Sequence, residues 1–272
     1  MSVIHNYCIT SNNYTFLNSL NLNIIISGSH NKNLELYPSN WYKDNEGINI
    51  SKKNKNFGTL TSHYWFWKNK MVEHDSDDWI GFNHYRRFWL KNSNVDEINL
   101  KNLSKNILRE VVEQEKYDVF LPSKIHLPKI KLSKLLKKGF RNYLKNPSLL
   151  FYRKEMTIKF HFDIFHKYQI IEKASKLLNI DDREDFLKYI NSKKEFYPLQ
   201  MFISKKKIID PLYSKTFDWI FKCEEKFSNL KLEGYGKERL YDFLAERFFS
   251  FYFEKYTKIK TIPYKLIKVN LE

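Results

Sequence analysis

The run Trp79-Ile80-Gly81-Phe82 reads as a buried strand, and it stops abruptly at Asn83-His84-Tyr85-Arg86-Arg87-Phe88-Trp89. In open α/β sheets ligands collect beyond the carboxyl ends of strands, and a planar guanidinium suits bidentate capture of phosphate. A buried strand that ends in an imidazole, a phenol and two guanidiniums is therefore expected to make a polyanion site. The competing reading is a basic strand end facing water. If extended backbone continues past Phe82, Arg86 shares a face with His84, while Tyr85 and Arg87 share the other. Arg86 is then the ligand-facing arginine.

The rest of the chain supports a layered α/β architecture. Short runs rich in β-branched residues at 4–9 and 22–26 read as strands, the second ending at Ser27-Gly28-Ser29. Residues 59–71, carrying Tyr64, Trp65 and Trp67, read as a helix, and 117–121, before Pro122, as a further strand. Strands alternating with helices define the α/β class. The last third reads as helices at 170–178, 183–190, 210–227 and 238–251, interrupted by a short strand at 198–203. We therefore expect one domain over 1–272, with a Rossmann-type sheet, a helical C-terminal part and a basic insertion at 123–160.

Within that insertion Leu132, Leu135, Leu136, Phe140, Tyr143 and Leu144 recur at helical spacing, and Lys134, Lys137, Lys138, Arg141 and Lys145 fill the positions between. The pattern suits a basic amphipathic helix on an anionic membrane surface. It equally suits a surface helix with its apolar face on the core.

Net charge narrows the partners. The chain carries +16 over 272 residues, and residues 123–154 hold ten Lys or Arg with no Asp or Glu. Such a balance points to nucleic acid, an acidic membrane or a nucleotide phosphate. Cys8 and Cys223 lie far apart in the chain with no Cys/His cluster, which suggests neither a disulfide framework nor a structural zinc and makes a reducing, cytoplasmic location the default. No signal peptide and no apolar run of about 20 residues is present, so a soluble or peripheral protein is expected.

No Walker A loop, GxGxxG, HExxH or GxSxG occurs, which removes support for P-loop, dinucleotide, zincin and α/β-hydrolase chemistries. Asp75 and Asp77 offer an Asp-x-Asp pair of the kind that holds manganese or magnesium, yet they precede the strand. Arginines stand instead at the strand exit, where they would neutralise a diphosphate leaving group directly. No metal cofactor is therefore expected to be required, with Asp75 and Asp77 as the alternative.

Five ordered blocks carry a resemblance: Asp44 to Ser51 with Asn54; Leu60-Thr61-Ser62-His63-Tyr64-Trp65-Phe66-Trp67-Lys68-Asn69; residues 81–88; Met201-Phe202-Ile203; and Phe243-Leu244-Ala245-Glu246-Arg247. Together they resemble the capsular polysaccharide synthesis family known as domain of unknown function 4422. The resemblance implies a bacterial glycosyltransferase with a GT-A-like fold, acting on capsule, lipopolysaccharide O-antigen or related glycans. It implies a galactosyl or galactofuranosyl donor carried on uridine diphosphate, and a glycan or lipid-linked glycan acceptor. The family carries Glu where Thr59 stands and Asn where Gln200 stands, which puts donor and acceptor choice in doubt.

Glu246 sits on a helix otherwise lined by Leu240, Phe243, Phe248 and Phe251, and a carboxylate near such a face is either paired or functional. It is the first candidate for the base that deprotonates an acceptor hydroxyl, with Asp242 second; a structural Glu held by Arg239 or Arg247 is the competing reading. His84, Tyr85, Arg86, Arg87, Thr61, Lys68 and Asn69 are the donor-side candidates. His161, Asp163, Gln200 and Met201 are the acceptor-side candidates, and His63 is read as an interior histidine. Two other classes stay in view: a basic nucleic-acid-binding protein, disfavoured because the arginines concentrate at one strand end, and a non-catalytic scaffold of a glycan assembly complex.

Overall fold

The computed structural model describes residues 1–91, 95–112, 116–130 and 153–268. The chain divides into two compact units, one made of Met1–Ser123, Leu199–Ser214 and Phe253–Glu272, the other of Lys124–Pro198 and Lys215–Tyr252.

The first unit is built on a mixed sheet. Its strands are β1 (Ser2–Thr10), β2 (Asn23–Ile26), β3 (Tyr42–Lys43), β4 (Trp79–His84), β5 (Arg87–Trp89), β6 (Glu110–Val111) and β7 (Val119–Leu121). β8 (Ile125–His126) and β9 (Glu195–Phe196) form a separate pair in the second unit; β10 (Ile203–Lys205), β11 (Ile259–Thr261) and β12 (Tyr264–Leu266) complete the large sheet. Its order is β11-β7-β10-β4-β1-β2-β3, with β6 on β1, and with β5 between β4 and β12. β1 is parallel to both β2 and β4, and β2 to β3. The chain thus proceeds from β1 to β2 and β3 on one side and then returns to place β4 on the other. That reversal is the switch point at which open α/β sheets hold ligands.

All six residues of β4 are buried, as its unbroken apolar run requires. Gly81 is there because its neighbours leave no room: a Cβ would lie 2.9 Å from Asn6 Oδ1 and 3.0 Å from Ile4 Cγ2. The helix Leu60–Asn69 connects β3 to β4 and buries Trp65 and Phe66. Phe66 meets Phe82 edge-on at 5.1 Å and Tyr7 at 4.7 Å, fixing the helix on the sheet.

Two local expectations are corrected. Extended alternation does not continue through Arg86, because the chain reverses at Tyr85-Arg86 and β5 runs back antiparallel with Arg87 opposite His84. Asn83 closes this hairpin: its Oδ1 accepts from Trp89 N at 3.0 Å, and its Nδ2 donates to Asn6 Oδ1 at 3.0 Å. The Trp89 indole donates to Phe82 O at 2.8 Å. Nor do residues 198–203 form the expected strand. Leu199 and Gln200 have φ of 80° and 51°, a left-handed turn no strand accommodates, and β10 starts only at Ile203.

The second unit is helical, with Ile158–Phe165, Ile170–Ser175, Ile180–Ser192 and the larger parts of Lys206–Lys226 and Leu240–Tyr256. Its apolar spacing was readable from the sequence because the helices share an aromatic core. Phe186 lies 5.6 Å from Trp219, 5.8 Å from Phe248 and 5.2 Å from Phe251, ring to ring. The Trp219 indole donates to Ala174 O at 2.7 Å. The basic amphipathic helix expected over 132–145 lies outside the described residues. Among the described residues no helix is long and apolar enough to cross a membrane.

Candidate functional site

The carboxyl ends of β1, β2, β3 and β4 lie along one edge of the first unit, and a buried carboxylate organises much of it. Asp44, fully buried just after β3, accepts five hydrogen bonds. Gly28 N and Thr61 Oγ1 donate to Oδ2 at 2.8 and 2.6 Å; Ser29 N, Ser29 Oγ and Ser51 Oγ donate to Oδ1 at 2.9, 2.7 and 2.6 Å. The turn after β2 presents its amides this way because Gly28 takes φ 64°. Asn54 Nδ2 donates to Ser27 Oγ, Gly58 O and Thr61 Oγ1, so three segments are tied to one point. Asp44→Ala strands these donors in the interior and is expected to destabilise the protein by about 2–4 kcal/mol, read as a lower urea midpoint.

Cations also stand at the carboxyl ends of these strands. Arg86 occupies the tip of the β4–β5 hairpin, its guanidinium 4.9 Å from the centre of the Tyr85 ring. Tyr85 in turn stacks on Tyr14 at 4.9 Å with 5° between the planes. Arg86 Nε is buried and lacks a hydrogen-bond partner. Among the described residues neither Arg86 nor Arg87 has a carboxylate partner. Lys32, in the loop that follows β2, donates to Ser11 O just beyond β1, and burial lowers its pKa. Arginines without carboxylate partners among the described residues favour an anionic ligand at a switch point.

His84 adds no charge to this group near neutral pH. It is buried at the end of β4, and burial, with the Arg87 charge in the same sense, lowers its pKa from 6.5 to about 4. Its Nε2 donates to Leu199 O at 2.7 Å, holding the left-handed Leu199-Gln200 turn against the strand end. Thr59 and Gln200 also meet here, with Thr59 Oγ1 donating to Gln200 Oε1 at 3.1 Å. An imidazole kept neutral by folding is protonated more readily in the unfolded chain, so its stabilisation is complete above pH 6.5 and declines as pH falls toward 4. The contribution is on the order of 3 kcal/mol, with roughly 2 of it lost by pH 5. Melting temperature is expected to fall less steeply from pH 7 to 5 in His84→Gln than in the wild type; parallel slopes would contradict this.

Other donor-side candidates are placed differently. Thr61 is fully buried and spends its hydroxyl on Asp44. Lys68 and Asn69 lie about 10 Å further along the same helix, roughly seven residues at 1.5 Å each. Lys68 Nζ covers the Trp67 ring at 3.3 Å, and Asn69 brackets the backbone of Ile48 through both its side-chain atoms. Met201 packs in the core with Trp79, Phe120 and Ile203. His63 is interior, as expected, with Nδ1 2.7 Å from Tyr213 Oη. Asp75 and Asp77 are exposed in the loop before β4, at the opposite pole from the strand carboxyl ends, and Asp77 is paired with Lys207 at 2.7 Å and Lys205 at 3.5 Å.

In the second unit Glu246 and His161 converge on Arg247. That guanidinium is 2% exposed, pairs with Glu246, and lies 3.4 Å from His161 Nδ1 and 3.4 Å from His166 Nε2. It stacks on Phe196 at 4.2 Å. Burial pulls the Arg247 pKa down and the Glu246 charge opposes that shift. Asp242 is buried one turn earlier on the same helix. Asp163 accepts from Lys159 Nζ at 3.2 Å and Gln169 N at 2.7 Å. Burial raises its pKa against the pull of Lys159.

The sequence reading missed Lys32, Tyr14 and His166 altogether, and Asp44 as an organiser. Asp44 gathers donors that are distant in the chain, Lys32 and Tyr14 join the strand ends of the first unit only through the fold, and His166 joins Arg247 in the same way.

The architecture is that of an α/β protein with a mixed sheet flanked by helices, and it recurs in a solved structure. The apo structure of the WbbM bifunctional glycosyltransferase superposes with a TM-score of 0.58 at 20% identity, covering 99% of this chain and 46% of that one. The chain thus spans under half the length of that protein, and the likeness is one of fold. A family model described as domain of unknown function 4422 matches residues 7–258, and the chain belongs to that family. No curated protein matches it.

Proposed function

We propose that this chain is a glycosyltransferase that moves a hexose, galactose or galactofuranose, from a uridine diphosphate sugar to a growing bacterial surface polysaccharide or lipid-linked oligosaccharide. The observation that carries the reading is the Arg86-Arg87 pair at the end of β4, beside the switch point and, among the described residues, without carboxylate partners. In a site of this kind a guanidinium takes the charge that develops on the departing diphosphate, and positioning supplies the remaining rate. Tyr14 and Tyr85 hold Arg86 in place by stacking. The likeness in fold to a bifunctional glycosyltransferase and membership of the family favour transfer of a sugar over other uses of an anion site.

Glu246 is our candidate for the base that accepts the proton of the acceptor hydroxyl, with Asp242 as second. Its carboxylate is 16% exposed in the side chain, which leaves it reachable by solvent. Gln200, His161 and Asp163 remain acceptor-side candidates. Attachment to the anionic inner face of the plasma membrane through basic residues, each worth on the order of 1 kcal/mol near such a surface, fits a lipid-linked acceptor.

The test is binding and transfer with a panel of uridine diphosphate sugars. Salt-dependent binding of polynucleotide with no binding of any nucleotide sugar would replace this reading by the nucleic-acid one. Because arginines stand where a metal would, transfer is expected to persist in excess chelator. Full dependence on added manganese would bring Asp75 and Asp77 back as ligands.

A further inference from the structure

A second constellation lies at the opposite pole of the sheet, where β1 and β4 begin. His5 is near the start of β1, paired with Ile80; Asp78 directly precedes β4; His74 follows the short turn Met71–Glu73 that leaves the helix Leu60–Asn69. Asp78 Oδ2 is 3.7 Å from His5 Nε2 and 3.6 Å from His74 Nδ1. One ligand atom from each of the three falls within 4.8 Å of the others. In a tetrahedral zinc site, with bonds of about 2.0–2.2 Å, neighbouring ligand atoms stand roughly 3.3–3.6 Å apart. The observed spacings approach this, and small side-chain rotations complete it.

The surroundings are those of a metal ligand set. His74 is buried, and its other ring nitrogen, Nε2, lies 2.9 Å from Tyr7 Oη. With Nδ1 on a metal, Nε2 carries the hydrogen and donates to that phenol oxygen, the outer contact that fixes the tautomer and ring plane of a ligating histidine. Asp78 is oriented by Asp75 N, which donates to Oδ2 at 2.9 Å. The His5 and His74 rings lie 4.5 Å apart, centre to centre. Of the cations nearby, Lys206 is engaged with His74 O, while Lys205 and Lys207 are both drawn to Asp77.

We propose that His5, His74 and Asp78 bind a divalent transition metal of the zinc type, with water in the fourth position, as a clamp between β1, β4 and the loop before β4. This use of metal is separate from sugar transfer. It supplies stability rather than chemistry, since a metal that binds the folded chain raises its melting temperature by mass action.

The whole chain, stripped with a chelator and dialysed, is titrated with zinc chloride against a chromophoric competitor, and melting is followed with and without zinc. One equivalent is expected to bind the wild type and raise its melting temperature. His5→Ala and Asp78→Asn are each expected to weaken binding by about tenfold or more and to remove the rise. His5 is 40% exposed in the side chain, so His5→Ala retains the fold and decides the matter alone if Asp78→Asn does not fold. Equal binding by wild type and His5→Ala, or no stoichiometric binding by the wild type, overturns the site. Chelator that lowers wild-type melting but not turnover separates this site from any metal need of the transfer reaction.

Discussion

Arg86→Ala is expected to reduce sugar transfer by about 10²–10³ at saturating acceptor while leaving the fold intact. The magnitude is that of removing one fixed donor from a site of developing negative charge. The fold survives because among the described residues Arg86 has no ion pair to lose; its guanidinium lies over the Tyr85 ring, a contact worth roughly 1–2 kcal/mol when partly desolvated. Arg86→Lys keeps the charge without the planar fork and is expected to fall between wild type and Ala. Arg87, opposite His84 in the hairpin, is the natural comparison. If Arg87→Ala is the more damaging, the tip of the hairpin and its first paired residue exchange roles. If both variants turn over like the wild type, the anion site is wrong.

Glu246→Gln is expected to lower turnover by about 10²–10⁴, the usual contribution of a general base. Its reading needs care, because Glu246 also partners the buried Arg247. Breaking a buried pair by removing one charge costs about 3–5 kcal/mol. Gln retains an oxygen that accepts from the guanidinium, so part of that loss is recovered. Turnover must therefore be measured well below the melting temperature of the variant, with the folded fraction determined by circular dichroism. A base gives a fully folded enzyme with little turnover. A purely structural Glu246 gives turnover in proportion to the folded fraction, and a scaffold gives unchanged glycan production in cells. Asp242→Asn tests the second candidate on the same terms, since the Asp242 charge also acts on the Arg247 guanidinium.

The strands and helices that build the core were readable because their signals are local. β4 is an unbroken apolar run, and the helices of the second unit repeat apolar residues at three and four positions around Phe186, Trp219 and Phe248. The concentration of His84, Arg86 and Arg87 at a strand end was equally plain. What the sequence concealed depends on distant partners. The reversal at Tyr85-Arg86 has no Gly or Pro to announce it and is set by Asn83 reaching Trp89 and Asn6. The turn at Leu199-Gln200 places two non-glycine residues at positive φ, which no propensity favours; His84 and Thr59 hold it from elsewhere in the chain. Asp44 collects donors from 28–29, 51 and 61, and a single carboxylate after a two-residue strand carries no pattern that reveals such a role. The His5-His74-Asp78 group is likewise split between β1 and the loop before β4, and His5 joins the other two only through the pairing of β1 with β4.

The most direct measurement is calorimetric titration of the wild type and Arg86→Ala with uridine diphosphate and with uridine. Wild type is expected to bind uridine diphosphate about 10²-fold tighter than uridine, the worth of one or two charge-assisted hydrogen bonds, and Arg86→Ala is expected to lose most of that gap. A gap of the same size in both proteins, or no binding of uridine diphosphate to the wild type, would contradict the account.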